Sequence, residues 1–350
     1  MNPITIQKKK VNYGFSPFVI AEAGVNHNGS LNLALKLIDA AAFAGADAIK
    51  FQTFRAEQVV TVSGKMADYQ KRNLRKEESQ LKMLKKLELK ERYYPALIQR
   101  AKERGIIFLS TPHGGFESAD LLQKLKIPAF KFGSGDLTNL PLLEYAAKFK
   151  KPMIISTGMS NLQEVKEAVA AIKKAGNNQI IALHCTTDYP LAPENVNLRV
   201  MKTLMKESGV LVGYSDHTLG SQTAVMAIAM GACMLEKHLT LDKNLPGPDQ
   251  AASMEPLEFR EMMKEIHKAT VILGSSQKKL LQCEKQYVTV ARKSLVTLQK
   301  IKKGEKFSAR NMTVKRPGTG LLPKRFKEVL GKVATQAIPK DTVLTEGMIG

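Results

Sequence analysis

Two histidines, His217 in YSDHT and His238 in LEKHLT, each end an apolar run, and from such positions both imidazoles can turn into one cavity. A pair of this kind suits a divalent ion with only two protein ligands, whose open positions water and substrate fill, as polarising a substrate carbonyl requires. Two hydrogen-bonded core histidines are the plainer reading of the same spacing. Lys50 in DAIKFQ and Lys131 in AFKFGSG stand inside strand-like runs. A lysine there is buried unless it reaches a cavity, and a buried ammonium needs an anion, so a phosphate or carboxylate ligand is implied. A Schiff-base lysine is the competing chemistry, which residue types alone leave open. Thr111, Ser134, Ser156 and Ser215 add hydroxyls and adjoining backbone donors, the parts of a phosphate and carboxylate cradle. Glu22, Asp136, Glu236 and Asp249 are the acidic candidates at the same rim. Beside two lysines they stay ionised and can serve as a base or steady a developing cation, although Glu236 reads equally as an ion-pair partner.

The elements that must position these residues are eight apolar runs: FVIAEA (18–23), DAIKFQ (47–52), IIFLST (106–111), PAFKFGS (128–134), PMIIST (152–157), IIALHCT (180–186), VLVGYSDH (210–217) and ACMLEKH (232–238). Segments with apolar spacing near 3.6, such as LNLALKLIDAAAFAG and NLQEVKEAVAAIKKAG, separate them and read as helices. Eight alternations of strand and helix predict a (β/α)8 TIM barrel, whose active site sits at the C-terminal ends of the strands. The exit residues Glu22, Lys50, Gln52, Thr111, Lys131, Ser134, Ser156, His217 and His238 then face one cavity. The barrel is expected over residues 1–275, a linker over 276–287 and a small, mostly β module over 288–350, marked by short β-like runs between turns such as KKGE and RPGTG. The long loop after the second strand, from Thr53 to about Ser79, is a candidate lid.

Composition limits the alternatives. The chain carries +21 net charge over 350 residues, and residues 288–350 hold 14 basic against 4 acidic side chains, a net of +10. Aromatic content is 6% and no RNP or zinc-finger pattern is present, so the basic surface reads as an attractor of anionic substrates and nucleic acid is not an expected partner. No apolar stretch of membrane length and no signal-peptide core follow the N-terminal lysines, so a cytoplasmic protein without a membrane partner is expected. Three cysteines without metal spacing read as reduced thiols. No P-loop or dinucleotide fingerprint occurs.

The segments AEAGVNHNGS, KFQTF, LSTPH, KFGSGD, STGMS, HCTTDYP, GYSDHT, EKHLTLD, PGPDQAASMEP and VKRPGTG follow in an order and spacing that resembles the sialic acid synthases, over nearly the whole chain. That resemblance implies condensation of phosphoenolpyruvate with a mannosamine-type amino sugar, a C-terminal antifreeze-like (SAF) domain, and manganese as the divalent metal ion, with magnesium or cobalt as substitutes. It implies Glu22 as the catalytic acid/base, with Asp136 beside it handling protons and cationic charge. It implies Lys50, Thr111, Lys131, Ser134, Ser156 and Ser215 as phosphoenolpyruvate contacts, and Gln52, Tyr189 and Asp249 as sugar contacts. His217 and His238 are the implied metal ligands. A domain-swapped homodimer is implied, in which Arg316 of VKRPGTG reaches the partner's sugar. Thr187 and Asp136 stand where the family's N-acetylneuraminate members usually carry Asn and Glu, and with TTDYP and DYQK they resemble the synthases of legionaminic acid. The sugar is N-acetylmannosamine or a 2,4-diacetamido-trideoxymannose, with the pseudaminic acid precursor as the alternative.

Overall fold

The computed structural model describes residues 1–74 and 78–350, so residues 75–77 of the candidate lid lie outside the described residues. Two compact units divide at Gly274/Ser275. The first unit opens with a hairpin that the apolar pattern does not announce, β1 (Ile4–Ile6) and β2 (Lys9–Val11). Eight parallel strands follow: β3 (Phe18–Gly24), β4 (Ala48–Thr53), β5 (Ile107–Pro112), β6 (Phe130–Phe132), β7 (Met153–Ser156), β8 (Ile180–Cys185), β9 (Leu211–Asp216) and β10 (Met234–His238). Their order is β5-β4-β3-β10-β9-β8-β7-β6, and β5 and β6 at its two ends pack beside one another, so the sheet curls round into a barrel.

Alternation along each strand sorts the side chains into two environments. Val19, Ala21, Ile49, Phe51, Phe108, Phe130, Phe132, Ile155, Ala182, Val212, Tyr214 and Leu235 face outward and pack with the helices in the main core. Ile20, Ala48, Leu109, Ala129, Ile154, Ile181, Leu211 and Met234 face inward at the N-terminal halves of the strands, where Ile4, Ile6 and Val11 of the hairpin join them. The barrel floor is therefore an apolar plug. One interior layer higher, the same inward phase of the strands carries Glu22, Lys50, Thr111, Lys131, Ser156, Cys185, Ser215 and Glu236.

Glycine serves this packing at two positions. At Gly213, inside β9, a Cβ would sit 2.4 Å from the Met234 carbonyl oxygen and 2.7 Å from Leu183 Cδ2, so any side chain would force the strands apart. Gly24, at φ 51°, allows the shift of register between Glu22 and Gly24 where β3 leaves β4. Outside the barrel, Ser30 caps the helix Leu31–Ala44 and Asn161 forms a capping box with Glu164 at the start of Leu162–Lys174.

The second unit, Ser275–Gly350, contains a short helix, Lys285–Ala291, and an antiparallel pair, β11 (Ser294–Thr297) with β12 (Met312–Lys315). Leu295, Ile301, Phe307, Met312, Val329, Ile338 and Leu344 make its own core. Among the described residues no helix is long and apolar enough to cross a membrane. All three cysteines are free.

Ile6 is fully buried in the floor plug. Ile6→Ala should destabilise the first unit by about 2–5 kcal/mol, the range for a large-to-small core change. Urea unfolding followed by circular dichroism reads this; a midpoint equal to wild type would show that the hairpin does not seal the barrel.

Candidate active site

Strand register sets the heights of the site residues. His238 pairs in register with Glu22 and Glu22 with Lys50, while Gln52 stands opposite Thr111 and Glu236 opposite Ser215. Because these positions share the inward phase of their strands, their side chains converge at the C-terminal mouth. A cavity of about 360 Å³ lies there. Its wall includes Glu22, Lys50, Gln52, Thr111, Lys131, Ser134, Ser156, Tyr189, Ser215, His217, His238 and Asp249.

Four charged groups form its base, all at most 4% exposed. Lys50 Nζ lies 2.6 Å from Glu22 Oε2 and 3.8 Å from Glu236 Oε1, and donates to Thr111 Oγ1 at 3.2 Å. Lys131 Nζ lies 3.1 Å from the same Glu236 oxygen, which also accepts from Ser215 Oγ at 3.3 Å. Gln52 Nε2 donates to Glu22 Oε1 at 3.4 Å. The two carboxyls are not equivalent. Burial raises both, but Glu236 lies between two ammoniums, which outweigh burial and bring it down to about 2. Burial dominates at Glu22, with the nearby Glu236 charge adding to it against the pull of Lys50, and its carboxyl is pushed up to about 7. Lys50 is held above its usual value because its two carboxylates outweigh the effect of burial. Burial carries Lys131 below its usual value, only partly offset by Glu236. An anionic ligand would restore Lys131, and Glu236 Oε2 and Ser156 Oγ are buried in the same wall without hydrogen-bond partners.

The imidazoles of His217 and His238 are 5.6 Å apart, and the Tyr189 ring lies 4.0 Å from the first and 5.4 Å from the second. His217 Nδ1 is bonded to the Thr186 carbonyl at 2.7 Å, which leaves Nε2 for a ligand. Burial opposes protonation of His217, but the adjoining Cys185 sulfur and the Thr186 carbonyl carry its pKa upward. His238 is held neutral, well below its usual value, by burial and by the charges of His217 and Lys50, and its Nδ1 is buried without a partner. Among the described residues no group of three or more His, Cys, Asp and Glu side chains is arranged to hold a metal ion. Two imidazoles are the donor pair on offer.

Asp249 lies on the loop after β10, and burial pushes its carboxyl up to about 6. A network behind it joins that loop to the one after β3: Asn26 Nδ2 donates to Ser253 Oγ at 2.9 Å, and Ser253 Oγ donates to the Asp249 carbonyl at 2.7 Å. The loop after β4 contributes two short helices, Ala56–Val59 and Asp68–Leu74. Val59, Ala67, Tyr69 and Gln70 from it line the cavity, with Met83, Leu84 and Leu87 of the helix Gln80–Leu87. Asn73 Nδ2 donates to the Pro248 carbonyl at 2.7 Å and Tyr69 packs 5.0 Å from Tyr189, so the loop is tied to two others across the mouth.

Asp136, expected at the rim, does not join the wall. Strand β6 stops at Phe132, and Ser134–Asp136 form a short 3-10 helix, so the alternation that turns Lys131 inward ends before Asp136. Its carboxylate faces His113 instead, with 3.4 Å between Oδ2 and Nδ1. Glu236, with Glu22 and Asp249, is among the carboxyl groups of the cavity wall. Arg316 follows β12 in the second unit, with its side chain exposed. Cys185 and Tyr69 line the cavity without having been singled out; the inward phase of HC in β8 could have flagged the first, whereas the second depends on how a loop folds.

The NeuB family model matches residues 37–278 and the SAF domain model residues 292–350. The chain is 47% identical over 330 residues to the N,N'-diacetyllegionaminic acid synthase of Campylobacter jejuni, covering 94% of this chain and 98% of that one. The N,N'-diacetyllegionaminic acid synthase of Legionella pneumophila is 43% identical, with 93% of each chain covered. The solved N-acetylneuraminic acid synthetase of Leptospira borgpetersenii, in complex with citrate, superposes with a TM-score of 0.74 at 32% identity over 82% of this chain and 95% of that one. The chain belongs to the NeuB family and ends in a SAF domain.

Proposed function

We propose that the protein is a nonulosonic acid synthase that condenses phosphoenolpyruvate with a 2,4-diacetamido-2,4,6-trideoxymannose or N-acetylmannosamine to a nine-carbon 2-keto acid. One observation carries the reading: two ammoniums, two carboxyls of opposite pKa shift, a ring of hydroxyls and two imidazoles meet in one cavity at the barrel mouth. The identity to two legionaminic acid synthases favours the diacetamido sugar. Pseudaminic acid synthesis is the nearest alternative. A Schiff-base aldolase is less well supported, since the relatives carry synthase names and Lys50 and Lys131 are both paired with carboxyls, at 2.6 and 3.1 Å.

Lys50, Lys131 and the hydroxyls of Thr111, Ser134, Ser156 and Ser215 hold the phosphate and carboxylate of phosphoenolpyruvate. His217 and His238 would hold a divalent ion, with manganese expected and magnesium or cobalt as substitutes, and the ion when bound polarises the aldehyde oxygen of the open-chain sugar. The donor pair fits this role, because His217 offers Nε2 and His238 is neutral with a buried nitrogen free. Carbon 3 of phosphoenolpyruvate attacks the aldehyde carbon, whose oxygen takes a proton and becomes a hydroxyl. Water adds to the cationic C2 and gives up a proton, after which the C2–O bond to phosphate breaks and the departing phosphate takes the remaining C2 hydroxyl proton, leaving the 2-keto acid and inorganic phosphate. Glu22, with a pKa near neutrality, is suited to give the first proton and accept the second. Glu236, ionised throughout, steadies the developing cation. Gln52, Tyr189 and Asp249 contact the sugar.

Phosphate release from phosphoenolpyruvate, assayed with each of the three candidate sugars, should be fastest with the diacetamido sugar of legionaminic acid; chelation should abolish it and manganese restore it. No release with any of the three would refute the synthase reading.

Glu22 acts first as an acid, so its protonated form is depleted as pH rises through about 7. Single-turnover rates should fall above that pH, and Glu22→Gln should lose about 10²–10⁴-fold and the pH limb with it. A wild-type rate that is level through this range would assign the proton transfers elsewhere.

The family's homodimer is part of the proposal, with Arg316 of one subunit serving the other's sugar site. Arg316→Ala should then raise the KM for sugar and leave phosphoenolpyruvate binding intact. Mixed dimers of Arg316→Ala and Glu22→Ala subunits should regain activity, since one of their two sites takes Glu22 and Arg316 from unmutated chains. Mixed dimers as inactive as their parents would overturn it.

A further inference from the structure

We infer that Lys237 and Asp216 are positioning residues: a buried ion pair on the outer face of the barrel that fixes the spacing of the two imidazoles on its inner face. The inference rests on the proposed role of His217 and His238 as ligands of a divalent ion.

Each residue immediately precedes one of the histidines, and strand alternation turns it to the opposite face. Lys237 and Asp216 are register partners across β10 and β9. Neither lines the cavity, whereas Ser215, His217, Glu236 and His238 all do. The Lys237 ammonium lies 2.7 Å from Asp216 Oδ2, with side chains 1% and 0% exposed. It also donates to the Thr218 carbonyl at 2.6 Å. The other carboxylate oxygen, Asp216 Oδ1, accepts from Thr218 N at 2.9 Å and Thr218 Oγ1 at 2.8 Å. Three groups thus grip the turn on either side of His217 and tie it to the residue before His238. The nearest other charges, Lys243 and Glu258, are paired with each other at 2.6 Å, so the cluster is closed.

The charge–charge attraction of a pair this deep contributes little net stability, because desolvation offsets it; what the pair does satisfy is the N–H, hydroxyl and carbonyl of buried Thr218. Its usefulness lies in direction. Hydrogen bonds at both carboxylate oxygens fix the backbone angle from which each imidazole leaves its strand, and ligand-orienting groups of this kind change metal affinity by about 10–100-fold when removed.

The test is the affinity of the otherwise unliganded protein for manganese(II), read from the electron paramagnetic resonance of the free ion. The double variant Asp216→Leu with Lys237→Met should have a lowered thermal midpoint, because the buried Thr218 N–H, hydroxyl and carbonyl lose their partners, yet stay folded at assay temperature and bind manganese at least about tenfold more weakly. Calorimetric binding of phosphoenolpyruvate without metal should be unchanged throughout. A folded double variant with wild-type manganese affinity overturns the inference alone. If the double variant does not fold, Asp216→Asn decides, and an affinity equal to wild type again overturns it. A wild-type protein that binds no manganese refutes the ion reading itself, and this inference with it.

Discussion

Four buried charges at one level of a barrel are the constraint around which the rest of the structure is arranged. Lys50, Lys131, Glu22 and Glu236 sum to zero when both carboxyls are ionised, and each ammonium reaches a carboxyl oxygen within 3.1 Å. Without that balance each ion would cost several kcal/mol to keep from water. The balance is uneven in detail, because Glu236 is shared between two lysines while Glu22 is left with one. Hence one carboxyl stays ionised and the other titrates near neutral pH, which divides electrostatic and proton-transfer work between two residues of the same chemical type. Lys131 remains the under-compensated member, and the cavity is thereby primed for an anion.

Such a layer can exist only above a floor that supplies stability. The inward residues of the lower strand halves and the β1–β2 hairpin form an apolar plug, and the outward residues pack against the helices. The barrel interior is thus divided by height: apolar contacts below carry cohesion, and polar groups above, at the strand ends, carry function. Gly213 belongs to the same economy of space, because two strands meet there with no room for a methyl group.

The mouth is finished by segments distant in sequence. Asn26 and Gln250 join the loops after β3 and β10, with Gln250 also bonded to Thr240, and the network runs on to the backbone of Asp249. Asn73 and Tyr69 bring the loop after β4 to Pro248 and Tyr189. These loops are bonded to one another, so the positions of Tyr189 and Asp249 are properties of the whole rim and not of either loop.

The strands, the helices between them and the inward residues at the strand ends were legible in the sequence, since a period of two inside an apolar run states which face a polar residue takes. That is why Glu22, Lys50, Lys131, Ser156, Ser215 and His238 could be placed together without coordinates. The period gives no information once a strand ends. Asp136 sits two residues into a 3-10 helix and turns to His113, whereas Glu236, still inside β10, points into the cavity. The floor hairpin leaves no pattern in the sequence because strands of three residues are too short to show a period. Lys237 and Asp216 read in sequence as ordinary charged neighbours of two histidines. Only the register of β9 against β10 brings them together behind the site, and only the burial of four charges in one layer makes two glutamates of like chemistry differ in proton affinity. The sequence determined which side chains face inward; pairing distances and desolvation, which depend on every strand at once, decided what each of them can do.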